Sequence, residues 1–267
     1  MTEISPQQTI FTPELVQRLQ RALRAAGDEL FTLVQDGAPE VLRALLKNRS
    51  LAEDHLLALL RRRDLGEDLL KALHQHELTI TSYRLKLALA VHPKSPPAVL
   101  QPLLSHLHLF DLLGICLHPG TTPDQKLAAE RAIVQRLPGV PLGNRITLAR
   151  RAPSTLLVEL LGGGEAQVIS AALDNPRLKE GHLVQYLSGG RATAYAITTI
   201  FRHLRWQKLP AIRSTLLKNP QTPENIFRQL LTSCPLSELK NLRLSNRLTV
   251  RQKVLLGEEL QRRSSFA

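Results

Sequence analysis

Aromatic side chains are scarce in this chain of 267 residues: Phe, Trp and Tyr make up 4% of it, with a single Trp, although 43% is hydrophobic. A core with so few rings must come from Leu, Ile, Val and Ala, which favours helices over a β-sandwich, where β-branched and aromatic residues are enriched. Apolar runs of about 18 residues are missing, which excludes a membrane-spanning helix. Met1 to Phe11 lack a basic stretch followed by an apolar one, so no signal peptide is expected. The only two cysteines, Cys116 and Cys234, lie far apart in apolar surroundings; they are expected as free buried thiols in a cytoplasmic protein rather than as a disulfide.

The signatures of common chemistries are missing as well. Gly162-Gly163-Gly164 has neither the spacing of a phosphate-binding loop nor a strand before it, and no G-x-S-x-G elbow occurs. The acidic clusters Glu53-Asp54-His55 and Asp64, Glu67, Asp68 fall at expected helix starts, where the helix dipole explains them without catalysis. Among the nine histidines, His74 and His76, like His106 and His108, are two apart, a spacing that points helical side chains in different directions. No cofactor, no metal and no enzymatic activity are therefore expected.

Acid is also missing locally. Residues 1–189 carry 21 Lys+Arg against 19 Asp+Glu, whereas residues 190–267 carry 14 against 4, and no acid stands between Glu180 and Glu224. Nearly all of the net +12 thus sits in the last third, which suggests that one end of the molecule faces an anion.

What is present is a recurrent phrase: an apolar helix end, Asn or His, often Pro, then Ser/Thr-Pro and a new apolar run. It reads LAVHPKSPPAVL at 89–100, CLHPGTTPDQKL at 116–127 and LLKNPQTPENIF at 216–227, with weaker copies at 44–56, 172–183 and 243–254. The anchors are Asn48, His92, His118, Asn175, Asn219 and Asn246, spaced by 44, 26, 57, 44 and 27 residues. An anchor that alternates between Asn and His is expected to bond turn backbone. Apolar residues recur at fixed offsets around the anchors, for example Leu127 and Val254 after His118 and Asn246. Thr12, Ser95, Thr122 and Thr222, each followed by Pro, are expected to cap the next helix by accepting from its free N–H groups. Pro93, Pro119, Pro176 and Pro220 stop the preceding helix.

This phrase resembles the leucine-rich repeat variant, a relative of HEAT-type repeats, over roughly 40–257. The resemblance implies an all-α fold, a right-handed α-solenoid of stacked short helical repeats. The chain is then expected to be a single helical-repeat domain, 1–267, with 1–40 as N-terminal cap, 41–249 as repeats and 250–267 as C-terminal cap. Members with an iron–sulfur cluster carry an N-terminal cysteine cluster, and no cysteine here precedes Cys116, so that cofactor is not implied.

Repeat architecture points to a binding surface. The leading expectation is a non-enzymatic scaffold for a protein partner, favoured to be acidic. Arg191, Arg202, Arg205, Trp206, Lys208, Arg213 and Lys218 are the candidate contacts. The alternative is nucleic-acid binding by the same third, with arginine on phosphates and Trp206 or Tyr195 stacked on bases. A helical-repeat DNA glycosylase comes third, since it would need a carboxylate on the basic face and no Asp follows Asp174.

Overall fold

The computed structural model describes residues 12–264; the reading of Met1 to Phe11 and the last residues of the expected C-terminal cap lie outside them. Among the described residues there are nineteen α-helices and one short 3₁₀-helix, with no strand. The chain divides into two compact units, Met1–Ile133 and Val134–Ala267, and each is described by itself.

The first unit contains α1 (Pro13–Arg24), α2 (Glu29–Leu33), α3 (Pro39–Leu45), α4 (Glu53–Leu60), α5 (Glu67–Gln75) and α6 (Glu77–Thr81). It continues with α7 (Tyr83–Val91), α8 (Pro97–His106) and α9 (Leu109–Leu117), and with α10 (Pro123–Arg136), inside which the division falls. The second unit contains α11 (Leu142–Arg151), α12 (Ser154–Gly162), α13 (Ala166–Leu173), α14 (Glu180–Ser188) and α15 (Ala194–Arg202). It ends with α16 (Pro210–Leu217), α17 (Glu224–Ser233), α18 (Leu236–Arg243) and α19 (Val250–Ser264).

The second unit repeats the first at a constant offset of 127 residues. Helices α5 and α15 begin and end at paired positions, as do α8 and α17. The others match to within a few residues, except that the turn 204–208 stands where α6 would be. About a quarter of the residues paired in this way are identical. Each unit is therefore one copy of an internal duplication without a net insertion.

Within a unit, alternate helices pack on one another, α1 on α3, α11 on α13 and α12 on α14. Their packed faces are the leucines of the sequence: Leu56, Leu59, Leu85 and Leu89 in the first unit, Leu157, Leu161, Leu183 and Leu216 in the second, all essentially inaccessible. Each such side chain contributes roughly 1.5–3 kcal/mol relative to exposure.

The helix ends follow the expected chemistry at two of four sites. Thr12 Oγ1 accepts from Leu15 N–H at 3.3 Å and Thr122 Oγ1 from Gln125 N–H at 3.2 Å. The expectation fails for Ser95 and Thr222, whose hydroxyls donate backwards to the carbonyls of Leu89 and Leu216, closing the preceding helix. Pro96 and Pro223 are then the residues at the cap positions.

The anchors tie one turn to the turn before it. Asn48 Nδ2 donates to the carbonyls of Ala22 and Ala25 at 2.8 and 2.9 Å, while its Oδ1 accepts from Ser50 N–H at 2.8 Å. Asn175, the paired residue, does the same to Ala149, Ala152 and Arg177 at 2.7, 3.2 and 2.8 Å. His92 Nε2–H donates to the Arg62 carbonyl at 2.7 Å and its Nδ1 accepts from Lys94 N–H at 3.2 Å. Its counterpart Asn219 reaches the Leu187 carbonyl at 2.5 Å and accepts from Gln221 N–H at 2.8 Å. These bonds satisfy carbonyls that every helix end leaves without an intrahelical partner.

Asn246 requires a correction. It is exposed, and Ser245 takes the turn position instead, accepting from Arg247 N–H at 3.3 Å; Ser245 is the residue that pairs with His118. His118 accepts from Gly120 N–H at 3.0 Å but is exposed, and it does not bridge to an earlier turn as His92 does. In both places a glutamine seven residues later makes the tie. Gln125 Nε2 donates to the His92 carbonyl at 2.6 Å, and Gln252 Nε2 to the Asn219 carbonyl at 3.0 Å, each glutamine closing a capping box with its Thr. The register expected after these anchors fails accordingly, since Leu127 and Val254 are 46% and 48% exposed.

Candidate binding clefts

A cleft within the first unit, about 540 Å³, opens where the C-terminal ends of α4, α7 and α9 meet. Its floor is made of Leu57, Leu87, Ala88 and Val91, all half-buried, and its rim carries Arg61 and Arg63. Arginine at a helix C-terminus is favoured by the helix dipole, which by itself explains a basic residue after α4. It does not explain three in a row with different partners. Arg62 is a structural clamp: its Nη1 donates to the carbonyls of Val34 and Asp36 at 2.7 Å each, and its Nε and Nη2 meet Asp64 at 3.0 and 2.7 Å. The Arg62 guanidinium holds the Asp64 carboxyl down to about 2, so the pair neutralises itself. Arg84, also on the rim, is paired with Glu53 at 3.0 Å. Arg61 and Arg63, both exposed, have no acidic partner among the described residues.

The corresponding cleft of the second unit, about 400 Å³, is lined by the paired residues. Two exchanges across the duplication are informative. Arg63 pairs with Gly190 and Gly120 pairs with Arg247, so each unit has one arginine and one glycine facing each other, with the walls interchanged. In the first unit a Cβ on Gly120 would lie 3.6 Å from Arg63 Nη2 and only 3.0 Å from the His118 ring. In the second, Arg247 Nη1 reaches back to the Ser188 carbonyl at 3.4 Å. The second exchange concerns the floor, where Thr215 and Lys218 replace Ala88 and Val91. A cation is retained in both clefts; an apolar floor is retained in one.

Of the sequence candidates, Arg202, Lys208 and Lys218 are exposed and free of acids among the described residues. The structure removes Trp206 from any base-stacking role: it is 1% exposed, and its Nε1–H donates to the Leu173 carbonyl at 3.1 Å. Arg205 lies 4.2 Å over that ring and donates to the carbonyls of Asn175 and Leu178 at 3.0 and 2.8 Å, so it is a tie between turns. Arg191 is paired bidentately with Glu159 at 2.9 and 3.1 Å, and the half-buried Arg213 donates to Ser233 Oγ. Lys208 and Arg213 share a third, smaller cleft with Glu238, while Lys218 joins Arg247. Both cysteines are free and buried, and burial pushes each thiol up to about 12, which keeps it protonated.

Sequence reasoning missed Arg61, Arg63 and Arg247, and also His76 and His203, which pair across the duplication and both serve turn ends. The signal was the order of anchor spacings, in which 44, 26 and 57 is followed by 44 and 27. Comparison with protein-family models, with curated proteins and with solved structures finds no match to this chain.

Proposed function

We propose that the chain is a non-enzymatic helical-repeat scaffold, a right-handed α-solenoid of the leucine-rich repeat variant or HEAT-like kind, that holds an acidic protein partner. The observation that supports this most is the location of the charge. The first unit carries fifteen basic and fifteen acidic side chains and the second twenty against eight, so two copies of one architecture differ by the whole +12. An excess of that size opposes compaction and attracts anions. Arg202 and Lys208 present it to solvent. The nucleic-acid reading loses one of its two stacking residues with the burial of Trp206, while Tyr195 stays 52% exposed.

The test compares wild type with Arg202→Glu/Lys208→Glu by fluorescence anisotropy, using labelled polyglutamate and a labelled 30-base-pair duplex. The expected outcome is salt-dependent capture of polyglutamate, weakened about tenfold or more in the variant, with the melting temperature nearly unchanged because exposed charges add little stability. Tighter capture of the duplex than of polyglutamate, lost in the same variant, would transfer the surface to nucleic acid. Binding of neither would end the proposal.

A further inference from the structure

We infer that the cleft of the first unit is a docking site for an acidic peptide segment that carries an aliphatic side chain. This site lies outside the charge-rich unit and does not rest on its excess. Three observations carry it. The cleft keeps a guanidinium in both copies although the residue that supplies it has changed walls, from Arg63 in one to Arg247 in the other. A dipole-satisfying arginine need only follow its own helix end, so an interchange of this kind is better explained by a requirement for positive charge in the gap. Arg61 and Arg63 are left without acidic partners, while neighbouring Arg62 and Arg84 are both neutralised.

The third observation is the floor. Leu57, Leu87 and Val91 show their exposed edges directly beside the free arginines. Phosphate backbones or bare carboxylates would cover the arginines and leave that apolar surface wet. A Leu, Ile or Val side chain flanked by Asp or Glu satisfies both parts, the side chain entering the cleft and the carboxylates taking the guanidinium forks. The cleft of the second unit, with Lys218 and Thr215 at the corresponding floor positions, is suited to charge alone. It serves as an internal control.

The probe is a labelled eight-residue peptide alternating aspartate and leucine, and the control alternates aspartate and serine. Anisotropy titrations on the full chain should show the leucine peptide binding at least about tenfold more tightly than the serine peptide. Arg61→Glu/Arg63→Glu should weaken the leucine peptide by about tenfold or more, and Arg61→Gln/Arg63→Gln by less, with the helical circular dichroism unchanged. Val91→Lys, which copies the second unit, should remove the preference for leucine, with the serine peptide bound at least as tightly as before. Arg202→Glu/Lys208→Glu should not alter the preference, which separates this site from the surface proposed above. Equal binding of the two peptides, undiminished binding to both Arg61/Arg63 variants, or a leucine preference that survives in Val91→Lys would each overturn the inference.

Discussion

The two units use one plan and keep different parts of it. Backbone-facing residues are retained almost one for one: Asn48 with Asn175, His92 with Asn219, Gln125 with Gln252. Outward-facing residues have diverged until one copy is neutral and the other holds +12. The difference has a thermodynamic reason. A buried carbonyl at a helix end without a partner costs about 1–3 kcal/mol, whereas an exposed charge is worth a fraction of that. Substitution is therefore narrow at the ties and broad on the surface. Where a tie has changed chemistry, the bond has been kept by other means: the Leu46 carbonyl receives His76 Nε2 at 3.0 Å, and the paired Leu173 carbonyl receives Trp206 Nε1 at 3.1 Å.

That last pair offers the largest test. Trp206 pairs with Thr79, each 1% exposed, and the buried Thr79 hydroxyl finds no partner among the described residues. Trp206→Ala should destabilise the chain by about 3–5 kcal/mol, read from the shift of the denaturant midpoint. Thr79→Ala should cost much less. Similar costs at the two positions would mean that the turn 204–208 does not rest on its indole.

The ties should be symmetric. Asn48→Leu and Asn175→Leu each strand two carbonyls, and each is expected to cost about 1–3 kcal/mol, with the two values within about 1 kcal/mol of one another. Chemical denaturation of both variants decides this. A neutral result at one site only would show that the duplication no longer holds there.

The smallest effect concerns the exchange of histidine for asparagine. Burial lowers the His92 pKa from its ordinary 6.5, and the neutral ring is the form that can accept from Lys94 N–H. Its stabilising contribution is complete above the unfolded value and is lost as pH falls through the folded one. His92→Asn, which copies Asn219, should leave stability at pH 7 within about 1 kcal/mol of wild type and reduce the loss between pH 7 and pH 5. The other histidines are common to both proteins and cancel in the difference. A pH profile unchanged by the substitution would mean that another group drives it.

The sequence by itself determined the helical class, because so much aliphatic and so little aromatic residue can be buried only in faces of period 3.6, and Pro, Asn and Thr mark where those faces stop. It also determined the strongest turns, Asn48, His92, Asn175 and Asn219, because an Asn or His after an apolar helix end, followed by Pro in three of the four, has few other uses. It did not reveal that Ser245, not Asn246, sits in the last turn, since a one-residue shift changes no composition and is decided only by which side chain faces the neighbouring backbone. Nor could it separate Arg205, whose guanidinium is tied to backbone carbonyls, and Trp206, which is buried, from Arg202 and Lys208, which are exposed without such ties. All four lie within seven positions, and a charge count treats the three cations alike. Only the packing of one turn on the previous turn decides which cations are consumed by carbonyls and carboxylates, and which are left facing outward. The arginine that crosses from one wall of the cleft to the other shows the same limit: Arg63 and Arg247 are far apart in sequence and occupy unpaired positions, and they become equivalent only when the two units are folded and compared.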